Sequence, residues 1–261
     1  MAAMTTPVSM LYRSTIITPD DVREVDEQVA IETPFTVMLN EEEIGSSMVL
    51  PVDLEEFGAG FLFGRGYLSS PEELVEVWVC DDGRISVFAD VAEIKARDVI
   101  ITSGCGGTGA IPRDMLEGTL TPPLDYSISF AEIKPFIRQA LHASPLGHRT
   151  HCVHGCGLWA DGELQVFFED VGRHNAVDKM LGAILLGRAP ARAAVFTTGR
   201  LTSDMVLKCA RMRIPILISR TAPSSLGIAI AARAGLTLVA YAKPERLNVF
   251  CGAERIVRDS K

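Results

Sequence analysis

Cysteine is scarce in this sequence. Six in 261 residues, at positions 80, 105, 152, 156, 209 and 251, are too few and too scattered for a disulfide framework. Reduced thiols and a cytoplasmic setting are the default for such a chain. Long apolar runs are missing too. Arg192, Arg220 and Arg233 interrupt the most hydrophobic stretches, and none reaches the roughly 18 residues of a membrane span. Met1 to Asp20 lacks the basic segment and apolar core of a secretory signal. Positive charge is in deficit, 25 Lys and Arg against 33 Asp and Glu, which at first sight excludes nucleic acid and anionic membrane as partners. No internal repeat or low-complexity tract is visible.

What is present is ordinary globular composition, 48% hydrophobic and 22% charged, enough to bury a core in one large domain or two modest ones. The charge is unevenly spread. Residues 1–125 hold 7 basic and 23 acidic residues, a net −16, whereas residues 126–261 hold 18 and 10, a net +8. The switch coincides with Thr119 to Asp125, which contains Pro122 and Pro123 and is the best linker candidate. Two domains, 1–125 and 126–261, are therefore expected.

In the first, residues 1–30 read as a loose or strand-like lead-in, 35–39 as a strand and 40–45 as an acidic turn. A helix opens at Asp53, the expected N-cap, followed by Leu54, Phe57, Phe61 and Leu62 at helical spacing. Residues 75–79 and 84–88 alternate around Asp81-Asp82-Gly83 as a hairpin, and 98–102 form a further strand. In the second, strands at 155–159, 164–169, 193–197, 214–219 and 236–241 alternate with helices at 129–142, 175–186, 202–211 and 224–234. That rhythm predicts an α/β fold with a parallel or mixed sheet covered by helices.

The second half repeats one arrangement three times: a strand, a short turn carrying an arginine, then a helix. Arg173, Arg200 and Arg220 occupy these turns. In a parallel sheet all three lie at the carboxyl edge of the strands, where open α/β folds bind ligands and helix N-termini attract anions. Each arginine alone reads as a solvated surface charge; together they point to a polyanionic, phosphate-bearing ligand. The densest polar cluster is Glu169-Asp-Val-Gly-Arg-His-Asn-Ala-Val-Asp-Lys179. On a helix starting near His174, His174 and Asp178 share a face, as do Asn175 and Lys179. That face either binds a heterocycle or ribose or serves capping and i,i+4 pairing.

Gly104 to Gly109 formally matches G-x-G-x-x-G, but no βαβ unit continues from it and Pro112 follows too soon for a long helix. Cys105, flanked by Gly104, Gly106 and Gly107, contributes little to packing. It is either a reactive thiol, which requires a stabilised thiolate, or an incidental loop cysteine. His148, His151, Cys152, His154 and Cys156 lack the separated pairs of a structural zinc site. Alternation places Cys152, His154 and Cys156 on one face, as a ligand set or a polar wall of the cleft.

Together these segments resemble the FdhD family of formate dehydrogenase accessory sulfurtransferases. The resemblance rests on Ile31 to Asn40 with Pro51 to Leu62, on Thr102-Ser-Gly-Cys-Gly106, on Glu169 to Lys179, on Ala222 to Ser225, and on Ala234 to Leu238 through Arg246 to Phe250. It implies a cytidine-deaminase-like three-layer α/β/α C-terminal domain beside a smaller α+β N-terminal domain. It also implies that Cys105 is catalytic, taking persulfide sulfur from a cysteine desulfurase and passing it to molybdenum cofactor, the bis-molybdopterin guanine dinucleotide, bound as substrate. The client is formate dehydrogenase. The family's cofactor segment corresponds to Tyr241, Ala242, Lys243, Pro244, Glu245 and Arg246, to which the residues above add Arg173, His174, Asn175, Asp178, Arg200 and Arg220. The zinc signature of deaminases is missing, so no metal of its own and no deamination are expected. Many members carry C-x-x-C in the loop, where this chain has Thr108 in the second place; a single thiol carries a persulfide but cannot resolve it as a disulfide, unless Cys152 or Cys156 helps. A non-catalytic cofactor-binding chaperone and a metal-dependent hydrolase using His148 to Cys156 are the alternatives, with a homodimer left open.

Overall fold

A computed structural model describes residues 6–91, 99–101 and 110–258. In chain order the elements begin with β1 (Ser9–Ile17), β2 (Val22–Ala30), β3 (Thr33–Leu39), β4 (Glu42–Val49), α1 (Leu54–Gly64), β5 (Leu74–Val79) and β6 (Arg84–Ala89). They continue with β7 (Val99–Ile101), β8 (Ala110–Pro112), α2 (Arg113–Glu117), β9 (Ile128–Ser129), α3 (Phe130–His142), α4 (Pro145–Thr150), β10 (His154–Ala160) and β11 (Glu163–Asp170). The chain ends with α5 (Arg173–Leu185), β12 (Ala194–Thr197), α6 (Ser203–Arg211), β13 (Ile216–Ser219), α7 (Ser225–Ala234), β14 (Thr237–Lys243), β15 (Arg246–Cys251) and β16 (Ile256–Val257).

The first segment holds a β1–β2 hairpin and a four-stranded sheet ordered β4-β3-β6-β5. Among the described residues the lead-in forms two nine-residue strands whose side chains are mostly exposed. The acidic turn is shorter than expected. Asn40 and Glu41, both at positive φ (47° and 71°), close a tight hairpin, and β4 starts at Glu42. One face of this sheet, including Val37, Leu39, Ile85 and Val87, is buried with Phe57 and Phe61 of α1 in one core. Asp53 does precede the helix, but it sits at φ 51° and its side chain makes no capping bond, so α1 starts without the predicted cap.

The second segment is built on a six-stranded mixed sheet ordered β11-β10-β12-β13-β14-β15. β12, β13 and β14 run parallel, while β10 pairs antiparallel with both β11 and β12. β11 therefore points the same way as β12, and the ends of β11, β12, β13 and β14 all lie on one edge. Inward-facing residues alternate: Cys156, Leu158, Val195, Leu217 and Leu238 join the core with α5, α6 and α7, and Trp159, Phe196, Ile218 and Val239 join Phe136 and Ile137 of α3. Three layers result, helices on both faces of a sheet, as expected. A Ser129–Glu132 capping box starts α3. α4, β9, β15 and β16 were not foreseen, and α5 starts two residues earlier than expected.

α1 and α5 meet backbone to backbone. A Cβ at Gly60 would come within 1.8 Å of the Asp178 carbonyl oxygen, and one at Gly182 within 1.8 Å of the Glu56 carbonyl oxygen. Only glycine allows this approach, and through it one continuous hydrophobic core runs from the four-stranded sheet across α1 and α5 to the six-stranded sheet. Gly60→Ala and Gly182→Ala are each expected to lower unfolding free energy by about 1–3 kcal/mol or more, since helices must separate to admit the methyl group. Urea denaturation measures this; wild-type midpoints in both variants would disprove the close crossing.

Candidate functional site

The polar cluster from Glu169 to Lys179 spans the end of β11, a two-residue turn and the start of α5. The i,i+4 pairs expected there do not form; each group finds a tertiary partner instead. Asp170, fully buried, accepts from the backbone N–H of Leu50 at 3.1 Å and of Gly172 at 2.9 Å, and from Asn175 Nδ2 at 2.9 Å. Lys179 Nζ lies 2.9 Å from Asp170 and donates to the carbonyls of Leu50 (3.2 Å) and Glu169 (3.1 Å). Asn175 Nδ2 also donates to the Met48 carbonyl at 2.7 Å. Lys208 Nζ donates to both Asp178 oxygens at 2.6 and 2.8 Å, and Arg65 Nη1 stands 3.6 Å from the same carboxylate. Burial lowers the pKa of Lys208 and of Arg65, with Asp178 opposing. Glu169 turns the other way, accepting from Ser144 Oγ at 2.5 Å and from the N–H groups of Leu146 and Gly147 that open α4.

Asn175 and Asp178, expected in the ligand face, thus spend their polar atoms on β4, β11, α6 and Arg65 just beyond α1. His174 is buried and pairs with Asp204 Oδ2 at 2.5 Å, while Asp204 also accepts from the Met205 N–H. Arg173 Nε and Nη2 are buried and have no hydrogen-bond partner among the described residues.

The turns after β11, β12 and β13 are joined into one platform at the sheet edge. A Cβ at Gly199 would lie 3.0 Å from Arg173 Cβ, so Arg173 packs over that glycine. The Gly199 carbonyl accepts from Ser219 Oγ and Thr221 Oγ1, both at 2.7 Å. Leu201 N–H donates to the Ala222 carbonyl and Tyr241 N–H to the Thr221 carbonyl, each at 3.1 Å. Arg200 and Arg220 stand exposed on this platform and make no ion pair among the described residues. From Tyr241 to Arg246 the chain leaves β14, turns and enters β15 at the same edge. Tyr241 is at φ 51° with its ring against Phe250. Lys243 and Arg246 are exposed, Ala242 is buried beneath, and Glu245 pairs with Lys134 of α3 at 3.1 Å. His154, at the start of β10, joins the platform through Thr198, 3.2 Å from its Nδ1. The hydroxyls of Thr198, Ser219 and Thr221 escaped the sequence reading, which weighed only charged residues in these turns; their position just past a strand was the available signal.

Cys105 and Thr108, together with Gly104 to Gly109, lie outside the described residues. The strands β7 and β8 pair antiparallel, Ile101 with Ala110. Among the other thiols, Cys156 and Cys209 are buried, and burial pushes Cys209 up to about 12 and Cys156 well above its ordinary value. Burial thus favours the neutral thiol at both, which weighs against Cys156 as a helper; Cys152 is exposed. Among the described residues no cluster of three or more His, Cys, Asp or Glu is placed to hold a metal ion, and no helix is long and apolar enough to cross a membrane. A cavity of about 210 Å³ beside Glu169, lined by Leu50, Phe167 and Arg149, is separate from the arginine platform.

The model of the FdhD/NarQ family matches residues 30–257. The chain belongs to this family. It is 33% identical to the sulfur carrier protein FdhD of Wolinella succinogenes over 243 residues, covering 89% of this chain and 84% of that one. The corresponding protein of Xanthomonas campestris pv. campestris is 33% identical over 247 residues, covering 89% and 86%. A crystal structure described as a candidate formate dehydrogenase accessory protein from Desulfotalea psychrophila superposes with a TM-score of 0.87 at 61% identity, covering 96% of this chain and all of that one.

The buried charges of this family member make two testable demands. Asp178→Asn removes the carboxylate that Lys208 grips and Arg65 faces, leaving two buried cations short of negative charge, so it should destabilise by about 3–5 kcal/mol in chemical denaturation. His154 and His174 are both held below the ordinary 6.5, in each case first by burial; Arg173 then adds to the shift of His154, and Asp204 opposes that of His174. The unfolded chain therefore binds these protons first. Stability is expected to be level above pH 7 and to fall as pH drops from about 6.5 through the folded-state values. Thermal melts that stay flat from pH 7.5 to 5.5 would contradict this.

Proposed function

We propose that this protein is a sulfur carrier that supports formate dehydrogenase by delivering sulfur to its molybdenum cofactor. The Cys105 thiolate attacks the outer sulfur of a persulfide on a cysteine desulfurase. The donor's S–S bond breaks, the donor cysteine leaves as thiolate, and Cys105 holds the sulfur as its own persulfide until the cofactor takes it. Bis-molybdopterin guanine dinucleotide is the substrate, held before its insertion into the dehydrogenase in the cytoplasm. Arg173, Arg200, Arg220, Lys243 and Arg246 meet its phosphates, and Tyr241 offers a ring face. The observation that carries this reading is the buried Nε and Nη2 of Arg173, without a hydrogen-bond partner among the described residues, on a platform that also exposes Arg200 and Arg220, in a chain whose relatives are named sulfur carriers. Buried donors without acceptors fit a ligand rich in phosphate oxygens. His174 acts from behind, its pairing with Asp204 holding the first turn of α5 in place.

Incubation with a desulfurase and cysteine should add about 32 Da, one persulfide sulfur, to the peptide containing Cys105, and Cys105→Ala should abolish both the adduct and maturation of the dehydrogenase. An adduct on Cys152 instead would sink the assignment. Full maturation by Cys105→Ala would favour a non-catalytic chaperone that binds the cofactor.

A further inference from the structure

Glu169 and Asp170, consecutive at the end of β11, each hold one wall of the cavity beside Glu169. Glu169 fixes α4 and the residue before it, accepting from Ser144 Oγ at 2.5 Å and from the N–H groups of Leu146 (3.1 Å) and Gly147 (2.7 Å). Asp170 and Lys179 fix the bend at residues 50–53 opposite, through the N–H and the carbonyl of Leu50. The cavity of about 210 Å³ between them is therefore braced by hydrogen bonds on both sides. Leu50, Val52, Leu146 and Phe167 give it apolar walls, and Asp53 and Arg149 line it with opposite charges. Asp53, at φ 51°, makes no capping bond, and its carboxylate has no hydrogen bond or ion pair among the described residues. Partial burial raises its pKa, and the cation that opposes, Lys179, is already engaged by Asp170. Arg149 donates from Nε to the Pro145 carbonyl at 3.2 Å, and its two terminal nitrogens have no partner among the described residues.

We propose that this cavity binds a small apolar α-amino acid as its zwitterion, with the ammonium group on Asp53, the carboxylate on Arg149 and the side chain against the apolar walls. Each end of such a ligand meets an opposite charge that the protein leaves unmatched, and hydrogen bonds between charged groups are stronger than neutral ones. A simple amine would leave Arg149 without an acceptor, and a simple carboxylate would leave Asp53 without a donor. The zwitterion satisfies both. Leu50, Val52, Leu146 and Phe167 favour a hydrocarbon side chain between the two ends. Volume sets the size: sites for drug-sized ligands occupy roughly 300–1,000 Å³. A cavity of about 210 Å³ is below that range and suits one amino acid, not a nucleotide or a pterin. Charge agrees, because Asp53 and Glu169 line the same space and repel a phosphate. The inference is independent of sulfur transfer and of the arginine platform.

The test uses the full native chain near neutral pH. Titration calorimetry compares L-leucine with 4-methylpentanoate, which lacks the ammonium group, and with leucinamide, which lacks the carboxylate. Leucine should bind, and each analogue should bind at least about tenfold more weakly. L-Alanine should also bind more weakly than leucine, since it leaves the apolar walls uncovered. Asp53→Asn keeps a residue that tolerates the left-handed backbone, and Arg149→Gln alters an exposed side chain. Each should weaken leucine binding by about 10–100-fold. Amide NMR of the native chain needs no variant: leucine should shift Val52 and Leu146 and leave Arg200 and Arg220 unmoved. Absence of both heat and shifts with leucine, equal affinity for leucinamide, unchanged affinity in either variant, or shifts confined to Arg200 and Arg220 would each overturn the site. Persulfide formation on Cys105 is read by mass, so either result leaves the sulfur-carrier reading untouched.

Discussion

The structure depends on the crossing of α1 and α5. Gly60 and Gly182 bring the two backbones into direct contact, and that proximity lets ion pairs cross where side-chain packing would otherwise separate the helices. Asp178 on α5 meets Lys208 from α6 and Arg65 just beyond α1, while Asp170 and Lys179 hold the chain at Leu50 as it enters α1. Buried charges of this kind contribute little net stability, because desolvation offsets most of the attraction. They are geometrically demanding, however. Each one tolerates only the arrangement in which its partners are present, and so the crossing sets how the four-stranded sheet sits against the six-stranded one.

The same crossing sorts the motif into two sets of residues. Asn175, Asp178 and Lys179 reach Met48, Arg65 and Leu50 of the first segment and find their remaining partners in Asp170, Lys208 and Glu169. Arg173, at the helix start, faces the open sheet edge with donors left over. A helix turns about 100° per residue, so neighbouring positions in one motif serve opposite ends of the molecule. His174 lies between the two sets, its ring tied to Asp204 at the start of α6, the helix that also supplies Lys208 to Asp178.

Much of the second segment was legible because it obeys local rules. Strands and helices alternate, Asp161-Gly162 marks the β10–β11 turn, and three arginines follow three strands. The mixed sheet keeps those turns on one edge because β10 reverses direction between β11 and β12. Local rules failed where partners were remote. Asp53 has the residue type and position of an N-cap but a left-handed backbone, so its carboxylate misses the helix N–H groups. Asn175 and Asp178 read as a ligand face because their partners, Met48, Lys208 and Arg65, lie up to 127 residues away in the chain.

The sequence by itself determined the family and the order of its elements, along with the thiol in a glycine-rich segment and the basic character of the second half. Each is carried by residues close together in the chain, where spacing alone conveys the chemistry. The net charge of −8 hid that basic character until it was divided by region. Only the tertiary structure decided which polar residues are spent and which are available. A hydrogen-bond donor's availability depends on what surrounds it, and the surroundings of Arg173, His154 and Asp178 come from strands and helices far apart in sequence. Arg173 differs from Lys179 in no way that composition or periodicity can detect; one is orphaned and the other saturated because the fold delivers acceptors to only one of them.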